Sequence, residues 1–562
     1  MWRSFLQRMR TLSPAWWLVG LGAFFFLPFL GGVHLFDWDE INFAEMAREM
    51  ILLEDYLQVR VRFQPFWEKP PLFLWMQASA MHLFGVGEYG ARFPNAICGV
   101  LTLVLLFRMG RFLYDDRFGW YWALAYLGSI LPHLYFKSGI IDPWFNLWIM
   151  GGLWYWMLGD WKKQGLHPAL NRPVWHYTLV GGLLLGLAIL TKGQVAGVIV
   201  GIVAVVYWIS QRFRWYLPFS QWVLFFGISL LPFGLWVLAI SLNGNPEFLS
   251  DFLTYQIRLL STEDAGHGGF PGYHVVVLLV GCFPASIFAL RTLFRHKESG
   301  FQGDALRWMR MLFWVVLILF SLVQSKIVHY SSLCYFPLTY LAAAVNLYRL
   351  EKGELNWKKW QSGLLIGIGG LFVLVIGVAP WLGNQPELLK RLIQGDAFVQ
   401  GNLDAQVNWT GWEMLPAIGL LALLVISLRG YLSQAVWRTS RTLFMGMAGF
   451  VMLTLIFFVG RAEHISQRAA IAYFESLQGK DVYVLAFSYK SYAPEFYARS
   501  QPPTQAQPTH DINWLLYGEI DKDLYISTKV HKLPALTPHV KDIEEIGRKN
   551  GFVFFLRRKK TP

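Results

Sequence analysis

Residues 14–32 read PAWWLVGLGAFFFLPFLGG. This run carries no charge, and its length matches the roughly 20 helical residues that cross a hydrocarbon core of about 30 Å. Arg3, Arg8 and Arg10 precede it, as in a secretory leader. It lacks a small-x-small cleavage site, however, so it reads as a membrane anchor and not as a cleaved leader.

Working outward, similar runs recur to residue 460. Length and apolarity predict about 13 spans, near 14–34, 93–113, 118–135, 138–158, 176–190, 194–210, 218–241, 274–294, 308–325, 330–348, 361–381, 411–428 and 441–460. The stretch 72–86 is apolar but interrupted by Gln77 and His82, and is expected as an interfacial helix on the outer side. Composition agrees with a polytopic α-helical membrane protein. Of 562 residues 55% are hydrophobic and 15% charged, against roughly 25% charged in soluble proteins.

The net charge of +13 raises the question of nucleic acid. It is set aside, because Lys and Arg gather in short loops between apolar runs, where they encode membrane orientation. With the N-terminus cytoplasmic, each predicted inner loop is basic. Examples are Arg108, Arg111 and Arg117; Lys162, Lys163 and Arg172; and Arg349, Lys352, Lys358 and Lys359. Cys98, Cys282 and Cys334 sit in or beside apolar runs, without metal-binding or disulfide spacing.

An odd number of spans puts the C-terminus outside. The division expected is a transmembrane domain, 1–460, with outer loops 35–92 and 242–273, followed by a soluble α/β domain, 461–562. Strands are predicted over 482–488, 523–527 and 552–556, and a helix over 465–477. Pro502, Pro503 and Pro508 mark a loop within that domain.

Ionisable residues concentrate on the outer side. The first outer segment holds Asp37, Asp39, Glu40, Glu45, Glu68 and Lys69. Later ones bring Lys137 and Asp142, then Thr191-Lys192-Gly193-Gln194, then Arg258, Glu263, Asp264 and His267, and finally Lys326, His329 and Tyr330. Charge near membrane depth is costly unless paired or hydrated, which makes these residues functional candidates. Carboxylates can deprotonate a hydroxyl or bind a divalent ion. Lysine and arginine hold phosphate by charge-assisted hydrogen bonds. Together, inside a membrane, they suit an amphiphilic phosphate substrate. A flippase or transporter would need alternating access and charges deep in the spans or on both sides, and no internal repeat is visible. A structural envelope subunit would leave Asp39-Glu40 and Glu68-Lys69 unexplained.

At these residues a family becomes recognisable. Asp39-Glu40 opens an amphipathic stretch to Met50. Glu68-Lys69-Pro70-Pro71-Leu72, Leu83-Phe84-Gly85, Ala91-Arg92-Phe93-Pro94, Asp142-Pro143, Leu190-Thr191-Lys192-Gly193 and the Lys326/Tyr330/Pro337 region follow in order. This order resembles the bacterial aminoarabinose (lipid A) transferase branch of the dolichyl-phosphate-mannose protein mannosyltransferase superfamily, over roughly residues 10–350.

The resemblance implies a glycosyltransferase C fold in a bacterial inner membrane, with the C-terminal domain periplasmic. It implies a polyprenyl-phosphate sugar donor and a lipid or other envelope acceptor; protein O-glycosylation stays open as the alternative acceptor chemistry. It implies Asp39 as catalytic base, with Glu40 and Asp142 as further acidic members. Lys69 and Tyr330 are implied on the donor-phosphate side, where the residues' own chemistry adds Lys192, Arg258, Lys326 and His329 as candidate phosphate ligands. Glu68 and His267 are implied as ligands of a divalent metal ion of unspecified identity. Where that branch often carries an arginine three residues after the aspartate, this sequence has Asn42. Pro71 is typical of the wider family. Asp37 makes an Asp-x-Asp with Asp39, but reads as a capping or solvated residue.

Overall fold

The computed structural model describes residues 14–245, 247–261, 269–294, 298–503, 511–536 and 542–559. Among these, seven helices are long and apolar enough to cross a membrane: Glu88–Leu113, Val174–Lys192, Phe219–Leu242, Gly300–Leu322, Lys359–Gly383, Trp412–Leu432 and Val436–Ser466.

Against the expected count of about 13 spans, only these seven helices among the described residues reach that length and apolarity, and the reasons are local. The predicted span 118–135 breaks at Gly128 and Ser129 into Asp116–Leu127 and Ile130–Tyr135. Gly128 is pressed against the Phe444 backbone, where a Cβ would stand 2.4 Å from the carbonyl oxygen. The predicted span 274–294 breaks before Pro284 into Tyr273–Gly281 and Ala285–Phe294. The predicted span 330–348 is a succession of a 3₁₀ turn (Val328–Cys334), an α-helix (Tyr335–Thr339) and a π segment (Tyr340–Leu347). The first anchor is helical only over Pro14–Phe26, and Val195–Ser210 has only 16 residues. Hydropathy averages over a window and does not register such interruptions.

Helices approach closely where both partners are small. A Cβ on Gly119 would meet the Phe107 carbonyl oxygen at 2.5 Å, and one on Gly110 would meet the Gly119 Cα at 2.7 Å. That contact pins Asp116–Leu127 to Glu88–Leu113, and so fixes the chain that leads on to Asp142.

Two features lie outside the bundle. The amphipathic helix Asp39–Leu52 is buried along most of its length. It is followed by a short hairpin, β1 (Arg60–Val61) and β2 (Gln64–Pro65). The C-terminal region forms a mixed four-stranded sheet in the order β3-β4-β6-β5, with strands Tyr483–Phe487, Leu524–Lys529, Glu544–Lys549 and Phe552–Arg557 for β3 to β6. β3 and β4 are parallel, and the other pairs are antiparallel. The pattern missed β5, whose sequence EEIGRK is too charged to read as a strand. The predicted helix 465–477 is two pieces, Gly460–Ser466 and Arg468–Glu475.

Candidate active site

Asp39 opens the helix Asp39–Leu52, where a carboxylate is favoured by the exposed N–H groups and the helix dipole. Its side chain is 41% exposed. It faces a cavity of about 820 Å³ whose polar end holds Asp37, Trp38, Asp39, Lys137 and His329. The remaining wall is largely apolar, with Phe29, Leu134, Met452 and Ile456 among its members.

Glu40 points elsewhere. Its carboxylate takes the fork of Arg92, with Nε to Oε1 at 3.0 Å and Nη2 to Oε2 at 2.9 Å. The backbone N–H groups of Phe36 and Gly139 also donate to it, at 3.0 and 2.5 Å. Burial alone would raise this carboxyl, but the Arg92 charge and these bonds hold it below its usual range. Arg92 in turn donates to the carbonyls of Leu30, Val33 and His34. The pair fastens the chain entering the site; both residues border the cavity but are almost fully buried in its wall.

Asp142 begins the helix Asp142–Lys163, with Pro143 next to it. It is buried. Oδ1 accepts from Lys192 Nζ at 2.7 Å, while Oδ2 lacks a hydrogen-bond partner and lies 3.9 Å from His329 Nε2. The same His329 nitrogen is 3.5 Å from Asp39 Oδ2, so the ring lies between the two carboxylates. Burial, opposed by Asp142 and reinforced by Lys192, lowers the His329 pKa.

Lys192 ends the span Val174–Lys192, and its ammonium lies 5.6 Å from the Tyr330 ring centre and 5.5 Å from that of Phe145. Lys69 is bonded to Glu68. Burial works against the Lys69 charge, but Glu68, then Asp39 and Tyr330, raise its pKa overall. Burial likewise works against the Glu68 charge, and Lys69, Lys490 and Lys192 together lower its pKa.

The structure thus gathers Asp39, Glu68, Lys69, Asp142, Lys192, His329 and Tyr330. Other expected members have contacts of their own. Lys326 caps the end of Gly300–Leu322, donating to Ser321 O at 2.6 Å and to Val323 O. That is a structural use of a lysine at a helix C-terminus. Arg258 is on the helix Phe248–Ser261 with its guanidinium 4.8 Å from the Tyr255 ring centre. His267 lies outside the described residues. Among those residues, no three His, Cys, Asp or Glu side chains form a group suited to a metal ion.

Sequence reasoning missed two contributors. Arg92 was visible only as part of a motif, although a lone arginine opening an apolar span implies a buried acidic partner. Asp37 is neither a cap nor solvated. Ser491 Oγ and the Tyr492 N–H both bond its carboxylate, from a segment more than 450 residues away. Local sequence carries no signal for that pairing.

A helical membrane bundle with this cavity and a small sheet-bearing C-terminal region is a glycosyltransferase C-type fold. The fold matches the crystal structure of ArnT from Cupriavidus metallidurans bound to undecaprenyl phosphate, with a TM-score of 0.75 at 20% identity over 98% of this chain and 100% of that one. The apo crystal structure of the same protein gives 0.73 at 18% identity over 97% and 98%. Residues 68–236 match the family model described as dolichyl-phosphate-mannose-protein mannosyltransferase. Over 447 residues the chain is 27% identical to the undecaprenyl phosphate-alpha-4-amino-4-deoxy-L-arabinose arabinosyl transferase of Edwardsiella ictaluri (strain 93-146), covering 78% of this chain and 76% of that protein. The resemblance drawn from the motifs is met by these matches.

Proposed function

We propose that the chain is a membrane glycosyltransferase that moves a sugar from a polyprenyl-phosphate donor to a lipid acceptor. The observation that carries this reading is the setting of Asp39, a half-open carboxylate at the polar mouth of a largely apolar cavity, beside His329, Lys69 and Lys192. The apolar wall suits a prenyl chain, and the charged mouth suits its phosphate. The name of the Edwardsiella relative supports undecaprenyl phosphate as the carrier.

In this mechanism Asp39 accepts the proton of the acceptor hydroxyl or phosphate as that oxygen attacks the anomeric carbon. The bond from that carbon to the phosphate oxygen breaks, and polyprenyl phosphate leaves with the electron pair. Lys69, Lys192 and Tyr330 stabilise the departing charge, which is often the largest catalytic contribution. Asp142 holds Lys192, and His329 orients Asp39. Direct displacement inverts the anomeric configuration. No step is assigned to a metal ion; of its two implied ligands, Glu68 is bonded to Lys69 and His267 lies outside the described residues. We place the protein in a bacterial inner membrane with the N-terminus cytoplasmic and the sheet region periplasmic. The basic inner loops support this orientation.

Transfer of radiolabelled sugar from polyprenyl-phosphate donors to envelope lipid, in reconstituted membranes, tests the reading. Wild-type protein is expected to label lipid, and Asp39→Asn to lose the product by about 10²-fold or more. Equal labelling by both removes Asp39 as base. Absence of labelling by the wild type with any donor overturns the assignment.

A further inference from the structure

The cations around the site are mostly engaged already. Lys69 is bonded to Glu68, Lys192 to Asp142, and Lys137 and Lys326 to helix-end carbonyls. One more cation reaches the same rim, and it comes from the C-terminal region.

After β3 the chain turns at Ser488, which has φ 60°. The segment that follows is fastened on both sides. Tyr489 donates its hydroxyl to Ser527 Oγ at 3.0 Å. Ser491 and Tyr492 bond the Asp37 carboxylate. Arg62 donates to the Ser491 carbonyl at 3.2 Å and lies 5.5 Å from the Tyr492 ring centre.

Lys490 stands between these anchors. It is exposed, and its Nζ lies 4.7 Å from the ring centre of Trp38, which lines the cavity immediately before Asp39. Among the described residues it forms no ion pair within 4.0 Å. Its charge also acts on the Glu68 carboxylate, the partner of Lys69. An indole face orients an ammonium group without using its N–H donors, and a lysine has three. The result is an oriented cation at the mouth with its donors directed to solvent.

We propose that Lys490 is a substrate-phosphate ligand, supplied by the C-terminal region to the outer rim of the site. The proposal rests on the glycosyltransferase reading and extends it, by making that region a part of substrate recognition. The phosphate has two possible sources, the donor's phosphodiester and an anionic group on the acceptor lipid. The placement of Lys490 at the rim, outside Lys69 and Lys192, fits either.

The test is the steady-state kinetics of the full chain in reconstituted membranes, with donor and acceptor varied separately. Lys490→Ala is expected to raise one KM by about tenfold, the loss of one charge-assisted hydrogen bond, with kcat within about twofold. Lys490→Arg is expected to recover most of the loss. A rise in the donor KM assigns the donor phosphate, and a rise in the acceptor KM assigns the acceptor's anion. Neither KM moving, kcat alone falling, or arginine behaving like alanine would each overturn the proposal. Lys490 is exposed, so misfolding is not expected to obscure the result. Should the wild type transfer nothing, the glycosyltransferase reading fails separately. Binding of undecaprenyl phosphate, undecaprenol and lipid A to the purified full chain then decides. Weaker binding by Lys490→Ala of either phosphorylated lipid, with undecaprenol unchanged, supports the proposal; unchanged binding of both phosphorylated lipids refutes it.

Discussion

Asp39 and Glu40 are adjacent in sequence and about 100° apart around their helix, and that rotation separates their environments. Asp39 meets the cavity, while Glu40 meets a buried guanidinium and two backbone N–H groups. Substituting them should therefore fail in opposite ways. Glu40→Ala leaves Arg92 buried without its carboxylate, which costs about 3 kcal/mol. Thermal unfolding of the purified protein should show a clear fall in melting temperature for Glu40→Ala and almost none for Asp39→Asn. A normal melting temperature in Glu40→Ala would mean that the ion pair contributes little. The sequence made Asp39, Glu68, Lys69, Asp142, Lys192, His329 and Tyr330 legible, because each interrupts apolarity at the outer end of a run. It could not separate Asp39 from Glu40, since both are acidic residues in one motif. Nor could it foresee that Lys326 caps a helix, because that depends on where Gly300–Leu322 stops.

Elements connect these residues across the chain. In the hairpin β1–β2, Arg62 and Phe63 both adopt positive φ, 56° and 59°. That conformation costs a non-glycine residue roughly 1–2 kcal/mol. Tertiary bonds offset it: Arg62 Nε is 2.6 Å from Glu495 Oε1, and the Phe63 N–H donates to Glu49 Oε2 at 3.0 Å. The Asp37 attachment is a second such connection. Burial raises its carboxyl to about 6, against the Ser491 and Tyr492 hydrogen bonds that favour the charged form. The folded state therefore binds the Asp37 proton more tightly than the unfolded state, whose carboxyl has its ordinary value of 3.8. The associated stability is fully present at pH below about 4, declines as pH rises to about 6, and is absent above that. Asp37→Asn should thus raise the melting temperature at pH 7.5, and the gain should shrink steadily toward pH 4. A gain independent of pH would show that Asp37 ionisation is not responsible. At this scale most apolar runs were legible as helices, whereas the breaks at Gly128 and before Pro284 depend on what each run packs against.

Across the whole molecule, the membrane bundle and the C-terminal region are bonded at many points. His34 Nε2 meets Glu475 at 3.2 Å, the Leu35 N–H donates to the Tyr497 hydroxyl at 2.7 Å, and Arg48 and Arg499 donate to the carbonyls of Ser500 and Val86. Tyr497→Phe would leave the buried Leu35 N–H without an acceptor, at a cost of about 1–3 kcal/mol. Because residues 35–38 lead directly into Asp39, the proposed base, the same variant should lower kcat although Tyr497 does not line the cavity. A melting shift with unchanged kcat would show that the two regions are joined but not coupled. None of these contacts could be read from the sequence, where each pair stands some 400 residues apart.

The attachment of Asp37 to Ser491 and Tyr492 also bears on inheritance. Residues 37 and 491 lie at opposite ends of the coding sequence, yet each is part of the other's surroundings. Recombination between diverged relatives at a crossover anywhere in the long stretch between them would pair one parent's mouth with the other parent's rim. Such hybrids would assemble a complete set of spans and still be poor enzymes, and a compensating change at position 37, 62 or 491 should be among the first to restore them.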